Sequence, residues 1–346
     1  MAQMSQAGDL TSGPMLKKII LFSLPLAASS FLQLLFNAAD VVVVGRFVGS
    51  AALAAVGSNG ALINLLVNLF VGLALGANVV AARCYGAKDD QGVHEAVQTA
   101  VTLSLVGGVL MAFVGFFAAH GLLELMSSPE DVIDLATLYL KIYFIGMPMT
   151  MLYNFNASLL RAVGDTRRPL YFLIIACLVN IALDVVLVAV LGMGVLGAAL
   201  ATILSQGVSA VLVLVSLTRA ETVYRLDWKQ VRFHGRLLGD ILRVGVPAGL
   251  QSNMYAISNI LIQTAINGFG TATVAAWTAH GKVDGFFWMI LGAYGISITT
   301  FAGQNFGAQK YDRIRRSVRV CLALGFGSAV LMSVLYCSLA PYLLGL

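Results

Sequence analysis

The chain has 346 residues, of which 59% are hydrophobic and only 11% charged, with a mean hydropathy of +0.88. Soluble domains hold roughly 45–50% apolar and about 25% charged residues, so a water-soluble globule is excluded: too little polar surface exists to cover this much apolar side chain. The net charge of +5 follows from where the basic residues sit between apolar runs, so it does not call for a nucleic-acid partner.

The polar opening "MAQMSQAGDLTSGPMLKK" leads into an apolar run too long for a signal-peptide core, which is expected to stay as an uncleaved first span. Apolar runs long enough to cross a core of roughly 30 Å at 1.5 Å per residue recur throughout. They predict an all-α polytopic membrane protein with spans near residues 18–44, 53–80, 95–120, 134–160, 169–191, 195–217, 238–266, 274–302 and 318–344. Lys17 and Lys18 precede the first span, and Arg83 and Lys88 follow the second. Arg161, Arg167 and Arg168 follow the fourth, six arginines and lysines from Arg219 to Arg243 surround the connection between the sixth and seventh, and Lys310 to Arg319 follow the eighth. The alternate loops are acidic ("SSPEDVID") or uncharged ("NGFGTAT"). The positive-inside rule therefore predicts a cytoplasmic N-terminus and puts every basic loop on that same side. Cys84, Cys177, Cys321 and Cys337 show no paired spacing and are read as small core residues.

An internal repeat organises these spans. "FSLPLAASSFLQ" aligns with "VGVPAGLQSNMY", pairing Pro25 with Pro247; "VGSAALAAVG" aligns with "FGTATVAAWT", and "YGAKDD" with "FGAQKYD", pairing Gly86 with Gly307. The unit holds six spans, an even number, so both copies enter from the same side as parallel repeats, a transporter architecture with substrate handled between the halves. The expected organisation is a six-helix lobe over 1–218, a cytoplasmic linker over 219–236 and the first half of a second lobe over 237–346. A full second unit would reach roughly residue 438, so the expectation is a chain truncated after its third span.

Within the first span Asp40 interrupts "NAADVVVVGRFVG". A carboxylate near a helix centre costs roughly 2.5–3.5 kcal/mol on insertion scales, so such residues face a cavity or a partner and carry function. Gln33, Asn37 and Asp40 stand at i, i+4, i+7 on one helical face, Asn180 and Asp184 stand four apart on span five, and Thr202 and Gln206 four apart on span six. Two carboxylates joined by amide and hydroxyl oxygens suit a hard cation such as Na⁺ or a shared proton. In the second half the position equivalent to Asp40 is Ile262 or Leu261, so the acid is not repeated. Span seven carries a polar stripe of Gln251, Tyr255, Asn259 and Gln263. Span eight sets His280 and Asp284 four apart, with Trp277 and Trp288 along the same face and Lys282 between them. These are candidate cavity walls able to hold aromatic cations on ring faces; the alternative for each is local helix packing.

The runs "NAADVVVVGRFVG…AALAAVG", "LVNLFVGLALGANVVAARCYGAKD", "NASLLRAVGDTRRP" and "GKVDGFFWMILGAYGISITTFAGQNFGAQ" resemble the bacterial multidrug and toxic compound extrusion (MATE) transporters, particularly their DinF-like branch. The resemblance implies a two-lobe antiporter of the bacterial inner membrane, a monomer without a cofactor, exporting organic cations or drugs in exchange for protons or sodium ions. It also implies a cation site at Asp40, Asn180, Asp184 and Thr202, with Tyr139 and Asn154 completing the network. Two other readings stay open. A flippase for lipid-linked saccharides shares the architecture but needs a cationic cavity, whereas the first six spans offer mainly Asp40 and Asp184. An intramembrane aspartyl protease needs a Gly-x-Gly-Asp context that "NAAD" and "NIALD" lack.

Overall fold

The structure is a computed structural model that describes residues 8–125, 130–269 and 271–343. The helices are α1 (Met15–Phe47), α2 (Ser50–Gly86), α3 (Asp90–Leu125), α4 (Glu130–Ile145), α5 (Met147–Ala162), α6 (Arg167–Asp184), α7 (Gly194–Thr218), α8 (Gly235–Asn267), α9 (Thr271–Gly307) and α10 (Tyr311–Leu343). A π-helical segment, Val185–Val190, extends α6, and a 3₁₀ turn, Trp228–Gln230, lies in the connection to α8. No strand occurs among the described residues.

Among the described residues seven helices are long and apolar enough to cross a membrane, or eight when the bent pair α4–α5 counts as one span. That pair bends by 49° at Gly146, where a residue with a side chain would run into Ile203 and where Pro148 enters the first turn of α5. The expected span at 238–266 is helical but falls outside this set, because Gln251, Ser252, Asn253, Ser258, Asn259 and Gln263 dilute its apolar character. The outer faces are apolar: Val109, Leu110, Phe113 and Phe117 of α3, and Leu322, Phe326 and Leu331 of α10, are all exposed. Such a surface needs hydrocarbon around it.

Helix ends follow local chemistry. Asp89 accepts from the Gly92 amide at 2.9 Å and starts α3, while Asp165 accepts from the amides of Arg167 and Arg168 at 3.1 Å and starts α6. The turn after α2 and the turn after α9 share one unusual backbone, with Lys88 at φ 57° and Gln309 at φ 56°. In both, the two residues that follow the turn's alanine donate their amides back into the last helical turn: Lys88 to Tyr85 and Asp89 to Cys84, Gln309 to Phe306 and Lys310 to Asn305. The paired turns "YGAK" and "FGAQ" are thus equivalent in conformation as well as in sequence. Their glycines do not supply the left-handed residue expected of a helix cap. A Cβ on Gly86 would fall on the Gln304 backbone, and one on Gly307 would fall on the Arg83 backbone. These two positions let α2 and α9 cross backbone to backbone.

Three apolar clusters run between the helices. The largest joins α2 to α7 and takes in Leu237 and Ile241 from the start of α8. A second joins Ile19, Phe22 and Leu26 of α1 to Ala293 and Phe301 of α9 and Cys321 of α10. A third holds Val44 at the far end of α1 with Tyr139, Val188, Val195 and Ala198. The first half of α1 therefore packs on the second repeat and its last turns pack in the first, with Pro25 inside the helix. The start of α8 crosses the other way, along α2, where Gly72 and Gly76 meet Gly245 and Gly249 at backbone distance.

Candidate ion-coupling site and facing cavity

α6 buries one stripe, Leu173, Ala176, Cys177, Asn180 and Asp184, whose last two members are polar. α7 buries Val195, Ala198, Ala199, Ala201, Thr202 and Ser205, a face of small residues that permits close approach. Asp40 enters between them from α1. Asp40 is 6% exposed, Thr202 6%, and Asn180 and Asp184 are fully buried. The Thr202 hydroxyl lies 3.2 Å from Asp40 Oδ2 and 3.0 Å from the Ala198 carbonyl, which share its donation. Asp184 and Asn180 also lie beside the Asp40 carboxyl.

These groups are under-satisfied. Asp40 Oδ1, both carboxyl oxygens of Asp184, and both polar atoms of Asn180 are buried with no hydrogen-bond partner among the described residues. Unpartnered buried polar atoms are rare and each costs about 1–3 kcal/mol, more for a charged group. Five in one cluster, two carboxyls among them, constitute a site that a proton or a small hard cation would stabilise. No group of three or more His, Cys, Asp or Glu suited to a metal ion occurs among the described residues, so any cation here is held by two carboxyls and neutral oxygens.

Tyr139 of α4 stands beside Thr202 and Asp40. Tyr143, one turn on, also faces Asp40 and stacks on Tyr139 with ring centroids 6.3 Å apart at 19°. Tyr143 went unpredicted; the signal available was its i+4 spacing from Tyr139. The π-helical segment directly after Asp184 was also unpredicted, the expectation there being a uniform helix. Val185–Val190 offers only valine, leucine and alanine side chains, with no glycine or proline to mark it. Asn154 donates to the Thr150 carbonyl of its own helix at 2.9 Å.

Gln33 and Asn37 are exposed, unlike Asp40 on the same face of α1. With Ser30 and Leu34 they form one wall of a cavity of about 590 Å³, and Gly281, Gly285 and Met289 of α9 form the other. This space separates the first helix of one repeat from the second helix of the next. Beside it, Trp288 Nε1 donates to Asp284 Oδ2 at 2.8 Å, and the Tyr255 ring meets Trp288 edge-on at 5.8 Å. Gln251, Asn259 and Trp277 are exposed on α8 and α9. The side chains of His280 and Lys282 lie outside the described residues.

At the basic end the repeats are joined by polar bonds. Asn78 donates to the Ser158 carbonyl at 2.8 Å and accepts from Thr300 at 3.1 Å, and Arg83 pairs with Asp240 at 2.5 Å. Gln304 receives the Leu10 amide at 2.9 Å and donates to the Ala162 carbonyl at 2.8 Å. Residues 8–13 are thereby held on the α9–α10 turn, where Lys310 and Arg313 also bond their carbonyls.

A family model described as MatE matches residues 25–186 and 247–346, and the two stretches begin at Pro25 and Pro247, the residues paired by the repeat. The "Probable multidrug resistance protein YoeA" of Bacillus subtilis is 31% identical over 319 residues, covering 90% of this chain and 68% of that protein. A solved structure described as the outward-facing conformation of a multidrug resistance MATE family transporter superposes with a TM-score of 0.90 at 25% identity, over 97% of this chain and 75% of that one. Another, with the same values, is a MOP superfamily transporter from Pyrococcus furiosus, for which reversed polarity of the binding pocket is said to suggest a different function.

Proposed function

Because this chain belongs to the MATE family of secondary transporters, we propose that it is an antiporter of the bacterial plasma membrane that exports organic cations or drugs against an inward flow of H⁺ or Na⁺. The observation that carries the reading is the buried Asp40–Asp184 pair, with Asn180 and Thr202 beside it and five polar atoms without partners among the described residues. Two carboxylates side by side in a dry site repel each other, so the empty state favours either uptake of a positive ion or separation of α1 from α6. Occupancy removes the repulsion and lets these helices close. The ion can move the equilibrium only by the difference in its affinity for the two arrangements.

Substrate would occupy the space walled by Gln33 and Asn37. Its described lining is neutral, with Asp284, Trp288 and Tyr255 next to it, a composition that favours a flat organic cation through ring faces and one carboxylate. A pyrophosphate-linked saccharide would want arginines or lysines there. The polar bonds that join the repeats at the basic end support reading this arrangement as open toward the opposite, extracellular side. Drive would come from ion binding at Asp40 and Asp184, and release of substrate from the cavity would follow rearrangement of α1, which borders both.

Ethidium efflux from vesicles carrying the protein, driven in one arm by a sodium gradient and in another by a pH gradient, tests the reading. Efflux in one arm identifies the coupling ion; failure in both, with the protein correctly inserted, overturns the proposal.

A further inference from the structure

We propose that a cavity between the start of α1 and the first three turns of α10 is a binding site for the phosphate headgroup of an anionic phospholipid. The cavity, about 380 Å³, is lined by Gly13, Met15, Arg313, Arg316, Arg319 and Val320. It lies at the basic end of the bundle, at the seam between the two repeats, and outside both the carboxyl pair and the substrate space.

Its arginines are in different states. Arg313 spends its terminal nitrogens on the carbonyls of Gly13, Ser12 and Leu10, at 3.0 to 3.4 Å, while its Nε is buried without a partner. Arg316 and Arg319 are exposed, and neither has an ion-pair partner among the described residues. Three guanidinium groups around one hollow repel one another unless an anion lies between them. Planar guanidinium forks match phosphate oxygens and hold them in pairs, which distinguishes phosphate from a diffuse anion atmosphere.

A lipid is favoured over a soluble phosphate by what borders the arginines. Met15 and Val320 give the cavity an apolar floor. From Arg319, positions i+3 and i+7 on α10 are Leu322 and Phe326, 68% and 73% exposed, so the same helical face continues toward the bilayer as an acyl track. On α1, Leu16 and Ile20 are exposed next to Met15. A basic pocket between helix ends with apolar faces leading away from it is the arrangement that binds anionic headgroups. The bound headgroup would tie residues 12–15 of the first repeat to α10 of the second, strengthening the junction that Arg313 already makes through the backbone.

Native mass spectrometry of the detergent-solubilised protein tests this, with phosphatidylglycerol, phosphatidylcholine and inorganic phosphate titrated in separate arms. Phosphatidylglycerol should be retained, phosphatidylcholine should not, and millimolar inorganic phosphate should not displace the lipid. Arg316→Gln and Arg319→Gln should each weaken phosphatidylglycerol retention about five-fold. Arg315→Gln, on an exposed residue outside the cavity lining, should leave retention unchanged. Equal retention of the two lipids, displacement by free phosphate, unchanged retention in both cavity variants, or an equal loss in Arg315→Gln would each overturn the assignment.

Discussion

The Thr202 hydroxyl divides one proton between Asp40 and the Ala198 carbonyl, so it can swing to present its oxygen when a cation enters. Thr202→Val keeps the shape and removes that oxygen; it should weaken the coupling ion about five- to ten-fold, seen as a right shift in the ion dependence of efflux with little loss of protein. Asn154→Ala offers the contrast. Among the described residues its side chain bonds its own helix, so efflux should stay within about two-fold of the parent. The adjacency of Asp40, Asn180, Asp184 and Thr202 was legible because polar residues on apolar helices declare their face through i+4 spacing, and faces of the same character pack together. Tyr143 was easily passed over because its one mark, the i+4 spacing from Tyr139, falls in "LYLKIYFI", where an aromatic has many apolar reasons to be there. The different surroundings of Asn37 and Asp40 were also hidden, because helical periodicity gives a face and not what lies opposite it.

At the helix crossings glycine has a role that sequence spacing does not display. Gly86 and Gly307 are the last residues of α2 and α9, yet the left-handed residues are Lys88 and Gln309, and the glycines admit the opposing backbone. Gly86→Leu should therefore hold the basic end apart by over-packing, at a cost of about 1–3 kcal/mol to the closed arrangement. Spin labels on Gln91 and Asp312, equivalent exposed sites at the starts of α3 and α10, should report a longer distance in that variant; an unchanged distance would remove the crossing from the closure. The strap at residues 8–13 adds a pH-related expectation. Partial burial works against ionisation of Asp9, but hydrogen bonds from Ser12 and Thr11, with Lys18 nearby, outweigh it and hold the carboxyl below its ordinary 3.8, at about 2. A depressed carboxyl contributes fully above 3.8 and loses its contribution as pH falls through about 2. Amide exchange of Leu10 and Thr11, corrected for intrinsic rate, should thus show constant protection between about pH 5 and 8, and Asp9→Asn should lower it throughout that range.

Across the whole molecule, chain order and packing divide the helices differently. The repeat was legible from "YGAKDD" and "FGAQKYD", and its equivalence extends to backbone angles. What composition could not reveal is that the first half of α1 and the start of α8 each pack into the other repeat. Such exchange depends on which apolar faces meet, and composition does not say which face meets which. It makes α1 the element shared by the carboxyl pair, the cavity walled by Gln33 and Asn37, and the seam. The orientation proposed for the bundle puts the connection from Arg219 to Arg236 inside the cell. Single cysteines placed there should resist an impermeant thiol reagent in intact cells, while one at Pro129 should react; the reverse pattern would invert the bundle.

The central claim is that charge on Asp40 and Asp184 couples ion to substrate. Gradient-driven ethidium efflux from vesicles, compared between the parent and the Asp40→Asn and Asp184→Asn variants at equal insertion, measures it most directly, since asparagine keeps the volume and removes the charge. The account predicts that each variant loses gradient-driven efflux almost entirely while still binding ethidium. Efflux at the parental rate in both variants would contradict it and leave the pair a packing feature.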